Sequence, residues 1–323
     1  MRSYIAGTGY QVPDKVLDNK YFESIIDTTD EWIRTHSGVV ERRMVDEDKA
    51  TSDLAVAASR KALASAGIAP ADVGAIVCGT VSSDMVFPST ACLVQNALGA
   101  PKVMSFDVSA GCSGFLYGLV TGDALVKSGY DNVLVIGADC LTRITDYKDR
   151  GSCFLFGDGA GAVLLKKGEG DRGIVSHFLA ADGSQWKLLY MPAGGSRRPA
   201  SHETVDQREH TIRMDGNPVF KLATRAMTEA AIEVLNRANV APEQVKLVIP
   251  HQANIRIMDA VAKRLNAADR MFVNIDKYGN TSGATIPIAL AEAAQSGRIK
   301  EGDYVLLVAF GAGFTWGGVL VKW

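Results

Sequence analysis

Apolar residues recur at three- and four-residue spacing among Lys, Arg and Glu over residues 52–66 and again over 220–238, the period of a helix that buries one stripe. A second kind of pattern comes after each helix. Residues 75–78, 133–136, 247–249 and 305–308 are continuous apolar runs without alternation, the pattern of strands in a sheet covered on both faces by helices. Between helix and strand stands a tight turn, Ala69-Pro70-Ala71-Asp72-Val73 in one case and Ala241-Pro242-Glu243-Gln244-Val245 in the other. The turns are 242 − 70 = 172 residues apart, and Val133 and Val305, which open two matching strands, are separated by the same 305 − 133 = 172. A unit of helix, turn and strand therefore occurs twice in register, which predicts an α/β chain of two related halves. Lys, Glu and Gly cluster over 168–173, a break between strands that places the halves at 1–170 and 171–323.

The apolar stretch 305–321 is interrupted by Gly311, Gly313, Gly317 and Gly318, so it predicts two strands and a turn, with no membrane span. Residues 1–9 read as a short strand leading into a polar segment, without the basic and then apolar layout of a signal peptide, so the expected location is the cytoplasm. At 323 residues the chain exceeds the roughly 250 to 300 at which a single core stops growing, in keeping with two fused halves. Its 34 basic and 36 acidic side chains leave a formal charge of -2, which excludes a whole-protein field for nucleic acid or anionic lipid and makes any electrostatic docking local. Cysteines 78, 92, 112, 140 and 153 form neither a CxxC pair nor an even framework, so free thiols are expected. The sequence offers no metal-ligating cluster, GxxxxGK loop or dinucleotide fingerprint.

Among those thiols Cys112 stands apart. Residues 103–108 read as a strand, 109–111 as a tight turn and 113–126 as a helix, so Cys112 falls at a helix start between Gly111 and Gly114. The helix dipole there is expected to lower its pKa, and the glycines allow close approach, as on a sharp strand-to-helix turn that carries a nucleophile. Cys78, Cys92, Cys140 and Cys153 lie in apolar or helical runs and are expected to be buried small hydrophobes. His251 ends the strand 246–250 and precedes a helix over 255–265, the edge at which α/β sheets bind ligands; on local context alone it serves equally as a structural imidazole. Asn280, in Tyr278-Gly279-Asn280-Thr281-Ser282-Gly283, reads on its own as an ordinary cap or turn residue.

Taken together these residues resemble a known family. Gly111-Cys112-Ser113-Gly114-Phe115, Pro250-His251-Gln252-Ala253-Asn254 and Gly279-Asn280-Thr281-Ser282 are similar to the three active-site motifs of β-ketoacyl-acyl carrier protein synthase III. Phe156-Gly157-Asp158-Gly159-Ala160-Gly161-Ala162 and Phe310-Gly311-Ala312-Gly313-Phe314-Thr315-Trp316-Gly317 resemble its glycine-rich motifs, in the same order. The resemblance implies a thiolase fold, five layers αβαβα from two duplicated halves, and a homodimer. It implies the initiating condensation of type II fatty acid synthesis, with no cofactor: Cys112 takes a short acyl group from acyl-CoA and condenses it, with decarboxylation, onto malonyl-acyl carrier protein.

The same resemblance assigns further residues. The backbone amides of Cys112 and Ala312 would form the oxyanion hole, where many relatives have glycine at the second position, and His251 and Asn280 would hold the malonyl thioester oxygen. Trp32 and Arg150 would take the adenine of CoA, Asn217, Phe220 and Asn254 would line the pantetheine passage, and His36 stands where some relatives have a second arginine. Phe87 would close the partner's acyl pocket. Lys221, Arg256, Lys263 and Arg264 would present a basic patch to the acidic carrier protein. Residues 191–213 are long for a loop and are expected to be a mobile cover or an interaction segment. The rival readings are a related condensing enzyme or acyltransferase of secondary metabolism with a different acyl donor or acceptor, hydrolysis by a Cys, His and Asn triad, and a non-catalytic partner subunit, against which an intact Cys112 speaks.

Overall fold

The computed structural model describes residues 2–168 and 170–323. Its first sheet contains β1 (Arg2–Gln11), β2 (Ala75–Gly79), β3 (Met104–Val108), β4 (Val133–Cys140) and β5 (Asp158–Gly168), in the spatial order β1-β5-β4-β2-β3. The second contains β6 (Gly173–Ala181), β7 (Val245–Pro250), β8 (Tyr304–Gly311) and β9 (Thr315–Lys322), in the order β7-β8-β9-β6. Strand for strand the two have the same logic. β4 pairs parallel with β2 and antiparallel with β5, and β8 pairs parallel with β7 and antiparallel with β9. Even the registers correspond: Ile76 faces Leu134 and Val248 faces Leu306, and 248 − 76 equals the 172-residue offset of the repeat. The fifth position, β3 in the first sheet, is reduced in the second to a parallel bridge between Val248 and Met271.

The principal helices are α1 (Asp30–Ser37), α2 (Thr51–Ala66), α3 (Thr90–Leu98), α4 (Gly114–Lys127), α5 (Gly216–Ala238), α6 (Ile255–Leu265) and α7 (Thr285–Gln295). The α5 helix begins before the expected residue 220 because Pro218 lies in its first turn, where a missing N–H costs nothing. Helices α2 and α3 bury Leu54, Ala58, Ala91 and Val94 against Ile76, Leu134 and Leu164 of the first sheet. On the far side, α5 and α6 bury Met227, Val234 and Val261 against Val248, Leu306 and Leu320 of the second. Between the sheets lie α4 and α7, with Phe115, Leu119, Ile286 and Leu290 in one core with residues of both sheets, such as Val135 and Leu307. Each sheet is thus covered on both faces, which explains its unalternating strands. The α7 helix rests directly on β5: a Cβ at Gly161 would lie 2.6 Å from the carbonyl carbon of Pro287. These are the five layers αβαβα that the motifs implied.

Residues 305–321 form an antiparallel hairpin, and among the described residues no helix is long and apolar enough to cross a membrane. Residues 191–213 include a short helix, His202–Asp206, and the segment is closed by pairing of Leu189–Tyr190 with Arg213–Met214. One expectation about the thiols is corrected. Cys78, Cys140 and Cys153 are buried, but Cys92 is exposed, because α3 turns Ala91, Val94 and Leu98 inward and leaves position 92 on its outer side.

Candidate active site

Four chain turns at the ends of β3, β7, β8 and the segment before α7 meet over one cavity of about 390 Å³, lined by Gly111, Cys112, His251, Asn280, Gly311 and Ala312. Glycine makes the meeting possible. Gly111 has φ +56°, and a Cβ on it would lie 2.5 Å from Ala312 N; one on Gly311 would lie 2.3 Å from Cys112 N. The two turns, one from each sheet, are therefore in backbone contact, and they are stitched by Thr315 Oγ1 donating to Ala110 O at 2.7 Å and Ser113 Oγ donating to Thr315 O at 3.1 Å. Among the described residues no protein acceptor takes the N–H of Cys112 or Ala312. Ala312 is absent from the left-handed region, so alanine supplies its amide without backbone strain.

Cys112 keeps a partial face on the cavity but is otherwise surrounded by protein. Burial pushes its thiol up to about 12, with the charge of Asp139 adding to the rise and the Ser282 hydroxyl opposing it. This reverses the expected lowering. Ser113 is the cap residue of α4 and Gly114 its first residue, so the thiol lies ahead of the free N–H groups, and desolvation outweighs the dipole.

His251 follows β7, and its backbone N–H continues the ladder to Val308 O at 2.8 Å. The side chain is buried, and burial lowers its pKa to about 3, so the ring is neutral. Nδ1 lies 2.7 Å from Thr285 Oγ1, which leaves Nε2 for a ligand. Asn280 is held by its backbone, with its N–H donating to Leu155 O at 2.8 Å and its carbonyl accepting from Gly157 N at 3.0 Å. Its Oδ1 accepts the Ser282 N–H at 2.8 Å, so the side-chain NH₂ is the half left for the cavity. Asn280 and His251 therefore use different partners, and the asparagine does not orient the imidazole as a hydrolytic Cys, His and Asn triad requires.

Two buried charges frame this constellation, and neither was singled out from the sequence. Asp139 Oδ1 accepts from Thr80 Oγ1, Val81 N, Ser82 N and Ser82 Oγ, and its Oδ2 from Gly283 N. It joins the turn after β2 to the turn that carries Asn280. Burial raises its pKa, opposed by those donors. An acid in the otherwise apolar run of β4 was the available signal. Arg42 is fully buried and donates to Leu17 O, Asn19 Oδ1 and Phe154 O, fixing the cavity wall at Phe154; burial lowers its pKa to about 10.

The far end of the cavity opens beside Trp32, His36 and Arg256. His36 stacks on Trp32 with ring centroids 4.3 Å apart, and the Arg150 guanidinium lies 5.9 Å from the same indole. Asn217, Phe220 and Asn254 line the passage. Asn254 is also committed structurally, because its Nδ2 donates to His36 O and its Oδ1 caps α6 through Arg256 N. Lys221 and Arg264 share a separate groove with Phe220 between α5 and α6, while Lys263 is exposed on α6. Phe87 is not brought to the cavity: it is 82% exposed beside Val86 at 87%. No group of three or more His, Cys, Asp or Glu side chains suited to a metal occurs among the described residues.

Comparison with known proteins gives the family and the fold. The family model described as 3-oxoacyl-[acyl-carrier-protein (ACP)] synthase III matches residues 106–183, and the model of that family's C-terminal part matches 235–323. The β-ketoacyl-[acyl-carrier-protein] synthase III of Caldanaerobacter subterraneus is 53% identical over 99% of this chain and 97% of that protein, and that of Syntrophomonas wolfei is 48% identical over 100% and 98%. The crystal structure of 3-oxoacyl-[acyl-carrier-protein] synthase III from Aquifex aeolicus superposes with a TM-score of 0.92 at 46% identity, covering 99% of this chain and 100% of that one. The chain belongs to the β-ketoacyl-acyl carrier protein synthase III family, acyl-transferring condensing enzymes of the thiolase fold.

Proposed function

We propose that this protein joins a short acyl group, acetyl or one of similar size, from acyl-CoA to malonyl-acyl carrier protein, through an acyl-enzyme on Cys112. The observation that carries this reading is that a cysteine, a neutral imidazole, a carboxamide and two free backbone amides line one cavity. In the first half-reaction the Cys112 thiolate attacks the thioester carbonyl, and the proton that its thiol gives up balances the one that CoA carries away. The resulting oxyanion takes the N–H groups of Cys112 and Ala312. The bond to CoA sulfur breaks, CoA leaves as its thiol, and the acyl group stays on Cys112.

In the second half-reaction the malonyl carbon–carbon bond breaks and carbon dioxide leaves. The electron pair becomes an enolate whose oxygen is held by His251 Nε2–H and the Asn280 NH₂. Both are neutral donors, so charge develops against fixed dipoles with no competing proton transfer; such a donor is worth roughly 3 to 4 kcal/mol in the transition state. The enolate carbon then attacks the acyl carbon, the same oxyanion hole serves again, and Cys112 departs as the thiolate and takes up a proton from solvent as β-ketoacyl-carrier protein is released.

The remaining assignments rest on the same reading. Trp32 and Arg150 flank the cavity mouth and suit the adenine end of CoA, although His36 already covers one face of the indole. Asn217, Phe220 and Asn254 line the pantetheine path, and Lys221, Arg256, Lys263 and Arg264 meet the acidic carrier. The exposed Val86 and Phe87 support a homodimer in which Phe87 closes the partner's acyl pocket. We read residues 1–170 as the half that carries the nucleophile and 171–323 as the half that carries His251 and Asn280, in a cytoplasmic enzyme that needs acyl-CoA as substrate and no cofactor. Incubation with acyl-CoAs of graded length, followed by intact mass and peptide mapping, tests this: a single acyl group on Cys112 is expected, and an adduct elsewhere, or none with any acyl-CoA, overturns it.

A further inference from the structure

We infer that Thr285 sets the tautomer of His251, holding the imidazole in its Nε2–H form so that it faces the cavity as a hydrogen-bond donor. The inference rests on the reading of His251 as a donor to the enolate, and it explains how a neutral ring comes to present a hydrogen and not a lone pair. Thr285 opens α7 and is 3% exposed. Its Oγ1 lies 2.7 Å from His251 Nδ1 and 3.0 Å from Ser282 O. A hydroxyl has one proton and two lone pairs, so these neighbours compete for a single hydrogen.

If that hydrogen goes to Ser282 O, Thr285 must accept from Nδ1–H, and Nε2 enters the cavity as a lone pair. If it goes to Nδ1, Nε2 carries the hydrogen. Two observations favour the second arrangement. Ser282 O already accepts the backbone N–H of Thr285, so it remains satisfied when the hydroxyl turns away. The hydroxyl also lies nearer to the buried Nδ1, at 2.7 Å, than to Ser282 O, at 3.0 Å, so the shorter contact is the one assigned its single hydrogen. A carboxylate or backbone carbonyl at this position, the usual partner of a functional histidine, would force the opposite tautomer. Thr285 lies outside the cavity lining and acts through His251, so it is a positioning residue.

The test combines ¹⁵N-histidine NMR with two variants, Thr285→Val, which keeps the shape and removes the hydroxyl, and Thr285→Ser, which keeps the hydroxyl. The His251 signals are identified by their loss in His251→Ala. Wild type and Thr285→Ser are expected to show a pyrrole-type Nε2 and a pyridine-type Nδ1. Thr285→Val is expected to lower kcat for malonyl-carrier decarboxylation roughly 10- to 100-fold, with KM changed less than about twofold, and Thr285→Ser to restore kcat to within about threefold. An Nδ1–H tautomer in wild type overturns the inference, as does a folded Thr285→Val that decarboxylates at the wild-type rate. If Thr285→Val does not fold, the wild-type spectrum alone decides. Slow decarboxylation by His251→Ala with fast decarboxylation by Thr285→Val rejects Thr285 only, whereas fast decarboxylation by His251→Ala rejects the donor reading itself.

Discussion

The Ser282 N–H donates to Asn280 Oδ1 over 2.8 Å, and that bond decides which half of the Asn280 amide is left for the cavity. Asn280→Asp keeps the acceptor but replaces the NH₂ donor by a negative oxygen. Malonyl-carrier decarboxylation is expected to fall roughly 10²- to 10³-fold, the loss of one donor at a developing oxyanion. Acylation of Cys112 by acyl-CoA, measured by intact mass, is expected to change far less. Equal loss of both activities would show that the side chain does not divide the two steps.

The Cys112 thiol, pushed up to about 12 by burial, is protonated through the neutral range. Its alkylation by iodoacetamide is therefore expected to accelerate about tenfold per pH unit between pH 7 and 10, without levelling, because each unit raises the thiolate fraction tenfold. A plateau near pH 7 would mean that the free enzyme stores a thiolate. Cys92, being exposed, also reacts, so the rate is read at the Cys112 peptide.

His251 links stability to acid. Its folded pKa is lowered to about 3, below the ordinary value near 6.5, so the unfolded chain binds a proton that the folded one refuses. Stability is fully present above about pH 6.5 and declines as pH falls towards 3, by up to about 1.4 kcal/mol per unit from this residue. His251→Gln removes that proton, and its urea-unfolding free energy is expected to fall less steeply between pH 6.5 and 4.5 than that of wild type. Identical slopes would contradict the burial of a neutral ring.

Gly111 and Ala312 separate backbone geometry from side-chain chemistry. Ala312→Gly keeps the amide donor at an unstrained position and is expected to leave both half-reactions within about twofold, since the oxyanion donor is retained. Gly111→Ala places a Cβ 2.5 Å from Ala312 N at a positive φ and is expected to damage both half-reactions together. The opposite ranking, with Ala312→Gly the more harmful, would remove the support for a backbone oxyanion hole.

Asp139 holds the Thr80–Ser82 turn to Gly283 through both carboxylate oxygens. Asn at this position must aim an NH₂ at a neighbouring N–H or hydroxyl donor. Asp139→Asn is expected to cost about 1 to 3 kcal/mol in urea unfolding, the penalty of an unpaired buried donor, and to slow decarboxylation by displacing Asn280. Unchanged stability would mean that the network tolerates a donor.

Much of this architecture was legible because it is periodic. The 172-residue offset survives as matched registers, Ile76 on Leu134 and Val248 on Leu306, since apolar runs buried on both faces tolerate few polar changes. Cys112 was legible from its glycine neighbours, which the contact between Gly111 and Ala312 requires. The direction of its pKa was not, because it is set by burial in the assembled fold, and the Asp139 charge that adds to the rise and the Ser282 hydroxyl that opposes it both stand far from position 112 in sequence. Thr285 was missed for the same reason: it meets His251 across 34 residues, and nothing local distinguishes it from any threonine opening a helix. Cys92 was misplaced because composition does not give the phase of a short helix, whereas Ala91, Val94 and Leu98 do.

Whether Cys112, His251 and Asn280 divide the chemistry between them is decided by parallel assays of Cys112→Ala, His251→Ala and Asn280→Ala. Each is assayed for release of carbon dioxide from malonyl-carrier protein and for transfer of a labelled acyl group from acyl-CoA to the enzyme. Cys112→Ala is expected to release carbon dioxide but carry no acyl group, while His251→Ala and Asn280→Ala carry the acyl group and release carbon dioxide poorly. Loss of both activities to the same extent in all three variants would refute that division of labour.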